Sequence, residues 1–66
     1  MKTPIEKANE LIEKFTIIKG NPFFSNECAI IAVDEIIDEL KREPYANYER
    51  IVFWQSVKTE LELLKN

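Results

Sequence analysis

The 66 residues contain no histidine, one cysteine and one glycine. Each shortage closes a route. Without histidine, no side chain has an ordinary pKa near neutral pH, so the commonest general base is missing. Cys28 has no second cysteine for an internal disulfide, and structural zinc wants four Cys or His ligands. With Gly20 as the only glycine, there is no Gly-rich phosphate loop and no nucleophile elbow. The longest apolar run, Cys28–Val33, spans six residues, too few for a signal-peptide core or a membrane span. Cations are outnumbered as well: nine Lys and Arg against twelve Asp and Glu leave a net charge of −3. Readers of duplex nucleic acid carry a basic stripe, which this chain lacks. A small anionic ligand needs only a few local cations and stays open. The expectation is a cytoplasmic protein with no metal and no cofactor, its Cys28 kept as a thiol.

What is present is helical periodicity. At 100° per residue, Ala29, Ala32, Val33, Ile36, Ile37 and Leu40 fall on one broad arc. Thr3-Pro4-Ile5-Glu6 is a helix start: a capping Thr, a Pro where its missing N–H costs nothing, and a Glu to complete a capping box. The stripe Ile5, Ala8, Leu11, Ile12, Phe15 and Ile18 follows, and Gly20 suits the left-handed position that ends the helix. Gly20–Ser25 reads as a linker, with Ser25 or Asn26 as the next cap. Pro44-Tyr45-Ala46-Asn47 reads as the second connection, with Asn47 capping a third helix. There Phe53, Trp54, Val57, Leu61 and Leu64 share a face. No stretch alternates with the two-residue period of a strand. The fold class is all-α: one domain, 1–66, of three helices at about 4–19, 26–43 and 48–64, with short connections.

A chain of this length buries only roughly 60% of its unfolded surface, and one such core supplies about 3–5 kcal/mol. Without a disulfide or metal, self-association is the remaining source of stability. Apolar residues also fall outside the main stripes. Ile17 is one, and Ile31 sits among Glu27, Asp34, Glu35 and Asp38. A thinner line on the third helix runs Tyr48, Val52, Leu63, with Ile51 at its flank. Ile17, Ile31, Val52 and Leu63 are therefore the expected oligomer contacts.

No catalytic set emerges. Asp34 and Asp38 lie one turn apart and could ligate a divalent metal with help from another subunit, although a solvated helix face is the commoner reason for such a pattern. Cys28 lacks an activating His and reads as a structural thiol. Binding chemistry is better represented. Tyr45, Tyr48 and Arg50 gather at the start of the third helix, with Trp54 a turn after Arg50 and Lys58 a turn beyond. Aromatic faces stack on bases, and Arg grips phosphate with two parallel bonds. The free N–H groups of a helix start would reinforce an anion site. Phe24 is a further candidate wall for a flat ligand. The plainer reading also stands: Trp54 in the core, the tyrosines at an interface, Lys58 in solvent and Phe24 stapling a helix.

Three blocks carry a resemblance. They are Ala8-Asn9-Glu10-Leu11 with Phe15, the run Cys28–Ile37, and Phe53-Trp54-Gln55-Ser56-Val57-Lys58-Thr59-Glu60-Leu61. In this order they resemble a widespread family of very small helical phage and prophage proteins, similar to the viral sponges that sequester nucleotide immune signals (the anti-CBASS type). Phe53 stands where that pattern often has Tyr, so any role of that hydroxyl is absent. The resemblance implies a homo-oligomer, a tetramer being one closed form, that holds cyclic oligonucleotides such as 3'3'-cGAMP in the host cytoplasm without catalysis. Trp54 and Lys58 carry over from the matching block; Tyr45, Tyr48, Arg50 and Phe24 rest on chemistry and position. The alternative is a helical module that engages a host protein.

Overall fold

The structure, a computed structural model, describes residues 2–19 and 22–64, without the side chains of residues 18, 19 and 22–24. Three helices and no strand make up the described residues: α1 (Pro4–Lys19), α2 (Pro22–Leu40) and α3 (Tyr48–Leu63). Every pair packs together.

The start of α1 is written locally. The Thr3 N–H donates to Glu6 Oε1 at 2.9 Å, and the Glu6 N–H donates back to Thr3 Oγ1 at 3.2 Å. This reciprocal pair satisfies two N–H groups that the helix geometry leaves without intrahelical acceptors. Holding the charged carboxylate on the Thr3 N–H keeps Glu6 below the ordinary carboxylate range.

The start of α2 differs from the sequence reading. It begins at Pro22, four residues before the expected Asn26. Proline tolerates the first helical position because the N–H it lacks would go unused there. Ser25 and Asn26 therefore lie inside the helix, both buried, and neither caps it. They reach across to its neighbours instead. The Ser25 hydroxyl lies 2.7 Å from Thr16 Oγ1 of α1, and Asn26 Nδ2 donates to the Leu61 carbonyl of α3 at 2.7 Å. Leu61 lies in the last turn of α3, where carbonyls lack helical donors. Asn26 thus closes the end of α3.

The other end of α2 also comes earlier than expected, at Leu40 rather than Glu43. Bonding tightens there from the i−4 pattern at Lys41 to the i−3 pattern at Arg42 and Glu43. Pro44 disfavours helical geometry in the residue before it. Asn47 occupies the cap position of α3 but gives that helix no side-chain bond. Its Nδ2 turns back to the Leu40 carbonyl at 3.1 Å, closing α2.

The core consists of Ala8, Ala29, Val33, Ile37, Val57 and Leu61, with Leu11, Ile12, Phe15, Ile30, Phe53 and Trp54 packed around it. Ala8 and Ala29 are fully buried, and such small side chains allow helix backbones to approach closely. The Ile18 side chain lies outside the described residues. Five other stripe residues fall outside this core: Ala32, Ile36 and Leu40, half-buried on α2, and two at helix ends. Ile5, in the first turn of α1, and Leu64, just past the last residue of α3, are both exposed. Ile51 departs the other way: expected beside the outer line of α3, it is buried.

Candidate functional site

The expected ligand residues separate into two groups. Tyr45 stands in the α2–α3 connection and is 99% exposed, and Tyr48, the first residue of α3, is 68% exposed. Arg50 follows in the same turn, also exposed. These three lie at one end of the bundle and face solvent.

Trp54 and Lys58 belong to the packing between helices. The Trp54 indole is half-buried and meets Phe53 edge to face, with ring centroids 5.5 Å apart and planes at 89°. The Lys7 ammonium of α1 lies over the indole, 5.8 Å from its centroid, within range of a cation–π attraction. Lys58 reaches the other way, to Asp34 Oδ1 of α2 at 2.7 Å. That bond, with further help from the Asp34, Glu62 and Asp38 charges, holds the Lys58 ammonium above its ordinary pKa. A four-residue spacing puts Trp54 and Lys58 on one side of α3, but they bridge to different neighbours. At 100° per residue Trp54 stands roughly 120° and Arg50 roughly 160° around the helix from Tyr48. Arg50, Trp54 and Lys58 instead follow one another on one side. The Phe24 side chain lies outside the described residues.

Asp34, read as half of a possible metal pair with Asp38, is bonded to Lys58. Among the described residues no three His, Cys, Asp or Glu side chains come together as a metal ion requires. Cys28 is a half-buried free thiol. No helix among the described residues is long and apolar enough to cross a membrane.

Protein-family models, curated proteins and solved structures give no match to this chain.

One cluster was not anticipated as a unit. On α1, Glu10 meets Lys7 at 2.9 Å and Lys14 at 3.4 Å, and Lys2 closes on its other oxygen. The i,i+3 and i,i+4 spacings of Lys7, Glu10 and Lys14 were readable as helix-surface pairs. The arrival of Lys2 was not, because it precedes the helix. Beside this cluster runs a groove of about 460 Å³ lined by Lys2, Glu10, Glu13, Lys14 and Ile17. Its lining comes from α1 and from Lys2, two residues before the start of that helix.

The four expected oligomer contacts, Ile17, Ile31, Val52 and Leu63, are all exposed in the single chain. Tyr48, Val52 and Leu63 recur along α3 at spacings of four and eleven residues, which keeps them on one outer line.

Proposed function

We propose that this chain is a non-catalytic binding subunit that works as a homo-oligomer and holds a cyclic dinucleotide, of the class to which 3'3'-cGAMP belongs, between copies. The observation that carries this reading is the exposure of Tyr45, Tyr48 and Arg50 around the start of α3. Those are stacking faces and a phosphate grip with no role in the chain's own core. A second copy brought to this end of the bundle would supply the opposite wall. The resemblance to phage sponge proteins supports the choice of ligand, and a sponge needs only a preorganised pocket in sufficient amount. Trp54 and Lys58 support the bundle in this reading and act on ligand only through it.

The test is a thermal-shift panel of cyclic di- and trinucleotides, paired with the mass of the native particle. A ligand that binds only the folded state raises the midpoint as its concentration passes Kd. A rise with cyclic dinucleotides that Arg50→Ala abolishes supports the reading. A midpoint indifferent to every nucleotide overturns it.

One observation favours a second reading, a module that engages a host protein. The outer line Tyr48, Val52 and Leu63 stays apolar on a helix whose opposite face is already committed to the core. Capture of a defined host protein that Val52→Asp abolishes, with no nucleotide response, would select this reading.

A further inference from the structure

We draw no further inference here: the strongest candidate, the outer face of α3 where Tyr48, Val52 and Leu63 stay exposed along one line, carries nothing beyond the readings above, because nothing in the structure shows what covers it.

Discussion

Lys58 Nζ of α3 and Asp34 Oδ1 of α2 stand 2.7 Å apart, and this bond joins two helices that meet nowhere in the local sequence. Both side chains remain partly exposed, so the pair is a modest stabiliser. Its pH dependence has a definite sign. Because the bond raises Lys58 above its ordinary 10.5, its contribution is complete below that value and fades as pH climbs through the raised one. In a double-mutant cycle of Asp34→Asn and Lys58→Met, the coupling should be constant from neutral pH upward and vanish only in strong alkali. A coupling that disappears near neutrality would show that the two charges do not meet.

Asn26→Ala should cost more than its small size suggests. It removes the donor to the Leu61 carbonyl inside a buried site, and an acceptor left unpaired there costs about 1–3 kcal/mol. Asn26→Asp should cost more still, since it sets a carboxylate oxygen against a carbonyl. Urea titration of the three proteins gives the order directly.

Leu61→Ala deletes a fully buried side chain at the meeting of the helices. The loss should fall at about 2–5 kcal/mol, a large share of what a domain this small holds. The variant should melt broadly or fail to fold as a single chain, visible in far-ultraviolet circular dichroism.

Thr3→Ala should lower stability by about 1 kcal/mol through loss of the cap. The partner residue adds an acid limb. Glu6 lies below its ordinary 4.5 because it accepts from the Thr3 N–H, so its share is present above that value and is lost as pH falls through the depressed one. Denaturation of Glu6→Gln should therefore differ from native at neutral pH and converge with it in strong acid.

If the aromatic end of the bundle takes ligand, Tyr48→Ala and Arg50→Ala should lower affinity while leaving the melting temperature of the free protein unchanged, since both side chains are exposed. Trp54→Ala should do the reverse, lowering the melting temperature first, because the indole packs on Phe53 and under Lys7. Calorimetry beside a melt for each variant separates the two effects.

What could be read from the chain alone depended on how far each partner lay along it. Thr3 and Glu6 find each other three residues apart, and the capping box formed as written. Most of the apolar stripes became the core for a similar reason, since a 3.6-residue period fixes a face without knowing what covers it. Ser25 and Asn26 misled because their side chains suit a cap as well as a tertiary bond, and the deciding partner of Asn26 lies 35 residues away. Asn47 illustrates the same ambiguity: its position was right, while its amide serves the helix before it. For Trp54 and Lys58, periodicity gave a shared side of α3. Only the placement of α1 and α2 around that side gave each a different partner.

Ser25 and Asn26 are consecutive, yet one is tied to α1 and the other to α3. A single turn of α2 is therefore the clasp for the whole bundle, and neither neighbour can swing out without disturbing the other. Slow amide exchange with deuterium should accordingly report one opening event shared by all three helices, with no helix released ahead of the rest.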